Sequence, residues 1–213
     1  MFDLEPLFIS LDELPAARQA AGSYPDFPVR LRETLDAIAA VRTDWKKQAS
    51  ALGKFSDEEI YQMLDAWITN GKLAGEGDPL LEFALLHTIR RYHRADKRQN
   101  VMGEMRLVAS CPSCGARADV AYLDNKGTRY AVCQICDTSW QVPRLGCIHC
   151  GEESPDQLEY FPYEAGYRLY HCKGCDRTLP AVDLRESGRL NLPRLRAAAV
   201  EMQYLFESGA IEE

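Results

Sequence analysis

The first 110 residues contain no cysteine, and all eight cysteines of the 213-residue chain fall between positions 111 and 175. Neither part has an excess of positive charge. Before Cys111, 14 basic residues face 17 acidic ones, and from there on 11 face 15, for a net charge of −7. A nucleic-acid binder ordinarily presents a basic surface that neutralises phosphates and releases counterions, so this balance argues against that class and no nucleic-acid partner is expected. No run approaches the roughly 20 apolar residues that span a bilayer, so no membrane span is expected. The opening MFDLEPLFIS is acidic and lacks the basic stretch and apolar run of a secretory leader, and a cytoplasmic location is the expectation. A glycine-rich phosphate loop, a G-x-S-x-G elbow and an H-E-x-x-H helix are all missing, and no enzyme is expected.

Without cysteine, the first half has to fold on apolar packing. Over 28–52 the residues Leu31, Leu35, Ile38, Val41 and Trp45 recur every three or four positions, which predicts one amphipathic helix. Ser56 and Glu59 form a capping box ahead of Ile60, Met63, Leu64 and Trp67, and Gly71 suits the left-handed position after the helix. Asp78-Pro79 reads as a cap and first-turn proline for a third helix through Leu81, Leu85, Ile89 and Tyr92. Its end carries Arg90, Arg91, Arg94, Lys97 and Arg98. These are either a solvated terminus matched to the helix dipole or a docking patch for an acidic partner. His87 and His93 on this helix take ordinary core or solvent-facing roles.

Helical periodicity stops at Cys111. Runs at 119–123, 129–132, 158–162 and 167–171 read as strands, and the turns at 124–127 and 164–166 pair them into two hairpins. Helical signals return over 191–208, with Pro193 in the first turn and Leu192, Leu195, Ala199, Met202 and Phe206 on one face.

Each hairpin stands between two C-x-x-C knuckles: Cys111/Cys114, Cys133/Cys136, Cys147/Cys150 and Cys172/Cys175. A knuckle lets two thiolates converge on one ion, and two knuckles complete a tetrahedral four-sulfur site, so eight cysteines suit two metal ions. In a reducing compartment metal ligation is preferred to disulfides. Pairing sequence neighbours puts Cys111, Cys114, Cys133 and Cys136 in one site and Cys147, Cys150, Cys172 and Cys175 in the other, with the shortest loop closures. The interleaved arrangement is the rival. C-P-S-C-G and C-I-H-C-G open the two sites while C-Q-I-C-D and C-K-G-C-D close them, the mark of a duplication. Gly115 and Gly151 relieve crowding where backbone amides turn toward sulfur. Four thiolates leave no position for water, so the ions are structural or electron-transferring, and both iron and zinc fit. His149 and His171 adjoin the knuckles but are not needed as ligands.

Between the two sites stands CQICDTSWQVPRLGCIHCG. A C-x-x-C, then Thr138, Trp140, Arg144, Cys147 and Cys150, with C-P-x-C-G upstream at 111–115, resembles the bacterial formate dehydrogenase accessory protein family (FdhE-like). The resemblance covers 110–175 and, more loosely, the flanking helices. The chain is shorter than typical members, chiefly in its helical half. What the resemblance implies is a cytoplasmic maturation chaperone that binds the formate dehydrogenase catalytic subunit before export and holds it until cofactors are inserted. It also implies rubredoxin-like modules, with iron favoured over zinc. Trp140 and Arg144 are then either anchors of a partner surface or, for the tryptophan, the apolar cover of a metal site.

The expected architecture is α+β: a helical domain over 1–105, tandem rubredoxin-like or zinc-ribbon-like modules over 106–190 (106–143 and 144–190), and a terminal helix and tail over 191–213. A zinc-ribbon nucleic-acid binder and a rubredoxin-like electron carrier are the alternative functions.

Overall fold

The computed structural model describes residues 3–15, 24–70, 78–93, 100–101 and 108–211. They divide into two compact units, 6–97 and 98–213, the latter joined by residues 1–5.

The 6–97 unit is helical, with α1 (Glu5–Glu13), α2 (Phe27–Val41), α3 (Lys46–Leu52), α4 (Asp57–Asn70) and α5 (Pro79–His93). Both sequence-legible caps form. Ser56 N donates to Glu59 Oε2 at 2.8 Å, and Glu59 N donates to Ser56 Oγ at 3.3 Å. Asp78 Oδ1 accepts from Leu80 N and Leu81 N at 2.9 and 3.2 Å. The core comprises Leu7, Phe8, Leu11, Phe27, Leu31, Leu35, Ile38, Ile60, Leu64, Leu81, Leu85 and Ile89.

Two expectations need correction here. The single helix over 28–52 is broken at Arg42, whose φ of −109° and ψ of 82° leave helical space. Its guanidinium binds Asp44 at 2.9 and 2.6 Å and lies 4.0 Å from the Trp45 ring centroid, and a 3₁₀ turn, Thr43–Trp45, separates the two helices. Arg90 and Arg91 are not a solvated end, because each is 1% exposed. Arg91 spans the unit, donating to Pro15 O and Arg30 O at 3.0 Å each and to Glu33 Oε2 at 2.6 Å. Gly71, Arg94, Lys97, Arg98 and residues 102–107 lie outside the described residues. His87 is buried 4.3 Å from the Phe83 ring, and His93 Nε2 lies 3.3 Å from the Tyr24 hydroxyl.

The other unit carries β1 (Asn100–Val101), β2 (Ala118–Leu123), β3 (Arg129–Cys133), β4 (Ser139–Gln141), β5 (Leu158–Pro162), β6 (Tyr167–Cys172), β7 (Arg177–Asp183), α6 (Leu184–Ser187) and α7 (Leu192–Glu207). Both expected hairpins are present as β2/β3 and β5/β6, each antiparallel. In the first turn, Asp124 Oδ1 accepts from Lys126 N and Thr128 N at 2.9 and 2.8 Å. In the second, Gly166 has φ +83°, and a Cβ there would come within 2.8 Å of Glu186 Cβ and 3.0 Å of Asp183 O.

The two hairpins share one seven-stranded sheet, ordered β1-β4-β3-β2-β7-β6-β5. β7 joins them, running antiparallel to β6 and parallel to β2, with Ala121 opposite Ala181 and Leu123 opposite Asp183. Asn191 caps α7 by accepting from Arg194 N at 3.1 Å. The helix contributes Leu192, Leu195 and Met202 to a core with Val120, Tyr122, Val132, Phe161, Tyr167, Leu169 and Val182. Full burial of each such side chain is worth about 1.5–3 kcal/mol. This core fixes the strands whose ends carry the cysteines.

Candidate metal centres

Three knuckles lie at or close to strand ends and the Cys147/Cys150 knuckle lies in the connection between β4 and β5, and the backbone explains their shape. In the opening knuckles, Cys111 N donates to Ala116 O at 2.7 Å and Gly115 N to Cys111 O at 3.0 Å, and the matching bonds at Cys147 and Gly151 measure 2.8 and 2.9 Å. Gly115 and Gly151 have φ of +76° and +80°. In the closing knuckles the corresponding position is an aspartate, Asp137 at +56° and Asp176 at +53°. Aspartate is among the few residues other than glycine that enter this region at modest cost. The duplication legible in the sequence is thus also a repeat of backbone conformation.

The sulfurs converge as sequence neighbours, not interleaved: Cys111, Cys114, Cys133 and Cys136 form one group, and Cys147, Cys150, Cys172 and Cys175 the other. Within a group all sulfurs lie within 4.8 Å of one another. Separations include 3.6 Å for Cys111–Cys136, 3.4 Å for Cys114–Cys133, and 3.7 Å for both Cys147–Cys175 and Cys150–Cys172. A disulfide would require about 2.05 Å. Four sulfurs at about 2.3 Å from a central ion stand about 3.8 Å apart at the corners of a tetrahedron. The spacing fits a four-thiolate ion site in both groups.

Hydrogen bonds to sulfur support the same chemistry. Ser113 N reaches Cys111 Sγ at 3.4 Å, and Ile135 N and Cys136 N reach Cys133 Sγ at 3.3 and 3.5 Å. Contacts with Cys114 and Cys133 hold the Cys136 thiol well below its ordinary range, with the Thr138 hydroxyl 3.1 Å away. The neighbouring Cys133 is pushed up by Cys114, Cys136 and burial.

Arg196 of α7 braces the first centre. It is 5% exposed and donates to Asp119 Oδ2 at 2.7 Å, Asp137 Oδ1 at 2.8 Å and Cys133 O at 3.3 Å. The second centre is more open, with Cys150 exposed. A small cavity of about 110 Å³ beside it is lined by residues including Arg129, Arg144, Leu145, Tyr160, Tyr170 and Arg177.

Neither His149 nor His171 enters a sulfur group. His171 lies 3.1 Å from both Glu159 and Asp176. Burial, chiefly, pulls the His149 pKa down. Trp140 is 1% exposed and donates through Nε1 to Val108 O at 3.1 Å, so it is a core residue and not a surface anchor, whereas Arg144 is exposed. The sequence gives Asp137 only as the residue that closes a knuckle, and assigns no role to Arg129 or Arg196. The one available signal was an arginine on the otherwise apolar face of the terminal helix, one residue after Leu195.

A family model described as the central domain of FdhE matches residues 110–144, from the first knuckle through Arg144. A protein named FdhE homolog from Aquifex aeolicus is 30% identical over 162 residues, covering 72% of this chain and 55% of its own length. Over these stretches the chain is FdhE-like. The FdhE protein of Escherichia coli K12 is 26% identical over 109 residues, 48% of this chain and 33% of its own. This FdhE-like chain therefore spans about half or less of the length of these curated relatives. The crystal structure of FdhE from Pseudomonas aeruginosa superposes with a TM-score of 0.61 at 20% identity, covering 95% of this chain and 81% of that one, which establishes a shared fold. The mixed helices and sheet, the paired four-cysteine clusters and the terminal helix are thus features of an FdhE-like architecture.

Proposed function

We propose that this chain is a maturation factor that binds the catalytic subunit of formate dehydrogenase in the cytoplasm and supports its assembly before export. The observation that carries this reading is the match of 110–144 to the FdhE central domain, because that stretch contains the whole first sulfur group. The protein acts by binding, not by catalysis. Among the described residues no helix is long and apolar enough to cross a membrane, which accords with work on a subunit before export. The eight cysteines Cys111, Cys114, Cys133, Cys136, Cys147, Cys150, Cys172 and Cys175 are the ligands of two ions. Zinc and iron both suit four sulfurs, and iron is preferred from the likeness to rubredoxin. The helical segment over 1–105 and the metal-binding segment over 106–190, with its terminal helix over 191–213, are the working domains of the factor.

Affinity purification on the tagged formate dehydrogenase catalytic subunit should recover this chain, and deletion should leave the enzyme transcribed but inactive. Full enzyme activity in the deletion strain overturns the proposal. Metal analysis and absorbance of the anaerobically purified protein identify the ion: a red protein with two irons per chain, or a colourless one with two zincs.

A further inference from the structure

Among the described residues, Arg129 is a buried cation with no carboxylate hydrogen-bonded to it. It is 3% exposed, and it extends from β3 of the first hairpin to the loop that opens the second centre. Its Nη1 donates to Gly146 O at 3.1 Å and to Pro143 O at 3.5 Å, while its guanidinium carbon is 4.4 Å from the Tyr170 ring centroid. Nε has no hydrogen-bond partner among the described residues. Carbonyls and an aromatic face offset part of the desolvation of a guanidinium, but a buried charge ordinarily requires an opposite one.

The acidic group that lines the same cavity, Glu159, is already engaged, pairing with Lys173 at 2.6 Å and His171 at 3.1 Å. Arg144 and Arg177 also line that cavity and add only positive charge, exposed to water. Cys147 and Cys172 line the same cavity wall, Cys147 following directly on the Gly146 that Arg129 binds and acting electrostatically on the guanidinium. The first centre is arranged differently, since its buried arginine, Arg196, is neutralised by Asp119 and Asp137.

We infer that Arg129 is the built-in counter-charge of the second four-sulfur centre, stabilising the ion-loaded thiolates and tying the second centre to the first hairpin. The inference rests on the reading of the cysteines as metal ligands. Four thiolates around a divalent ion form a dianion, and a cation held beside it in a dry site favours the loaded state over one in which the thiols are protonated. Arg129 is therefore a positioning residue that acts through Cys147 and the 143–146 loop. The first centre does not depend on it.

The test is competition for zinc between a chromophoric chelator and the full chain, with cysteine alkylation mapped by mass spectrometry to tell the centres apart. Arg129→Gln should weaken the second centre by about 10–100-fold and leave the first unchanged. Arg129→Lys, which keeps the charge but loses the planar fork, should restore most of that loss. Wild-type affinity at the second centre in Arg129→Gln overturns the inference, as does a lysine variant no better than glutamine, since the forked contacts and not the charge would then matter. In denaturant melts of the metal-loaded protein, the cost of Arg129→Gln should shrink once Cys147→Ser removes a sulfur, and an undiminished cost also overturns it. A parent protein that takes up no ion at either centre refutes the metal reading itself, whatever the variants do.

Discussion

Asp137 occupies a left-handed backbone position one residue after Cys136, and its side chain is fully buried against Arg196. The sequence justified aspartate here as a knuckle residue. It gave no sign that a helix arriving some sixty positions later would supply the cation. Removing one member of such a pair leaves a desolvated charge, so Arg196→Met should cost about 3–5 kcal/mol. Adding Asp137→Asn to that variant should recover much of the loss, because asparagine also accepts the left-handed conformation and removes the stranded charge. Denaturant melts of the single and double variants check this, and a double variant no more stable than Arg196→Met would show that the pair is not the source of the cost.

The elements most legible in the sequence were those with local causes. The hairpins follow from turns written in Asp124, Gly127 and Gly166, and the starts of α4 and α5 follow from their caps. Elements that depend on distant partners were not legible. β4 is three residues long and is held by pairing to β1 and β3, while β7 contains Pro180 and reads as a broken run until β2 and β6 flank it. Hence the joining of two modules into one sheet was out of reach, although both modules were seen. The break at Arg42 was missed because Trp45 falls in helical phase with Ile38 while the backbone between them does not. For α7 the local cause is again decisive. Asn191→Ala removes the acceptor for Arg194 N and should lower stability by about 1 kcal/mol, whereas Asn191→Ser keeps an acceptor and should cost only a fraction of that. Equal melting shifts for the two substitutions would place the effect in the Asn191 contact with Glu5 instead.

At the scale of the molecule, the two compact units draw on different physics. The 6–97 unit contains no cysteine and holds an apolar core of its own, so thiolate chemistry has no purchase on it. In the sheet unit, on the proposed reading of the cysteines as metal ligands, the free energy of ion binding is free energy of folding for whatever the ligands pin. The sulfurs pin the knuckles at the strand ends, while the centre of the sheet packs independently against Leu192, Leu195 and Met202 of α7. Stripping the ions with a chelator should therefore produce a graded loss of hydrogen-exchange protection. Amides at 111–117, 133–138, 147–152 and 172–176 should exchange first, β2, β6 and β7 later, and α2, α4 and α5 as slowly as before. Peptide-resolved exchange with and without chelator reads all three levels in one experiment. Uniform loss across both units would mean that the helical unit borrows its stability from the metal centres, contrary to what its separate core requires.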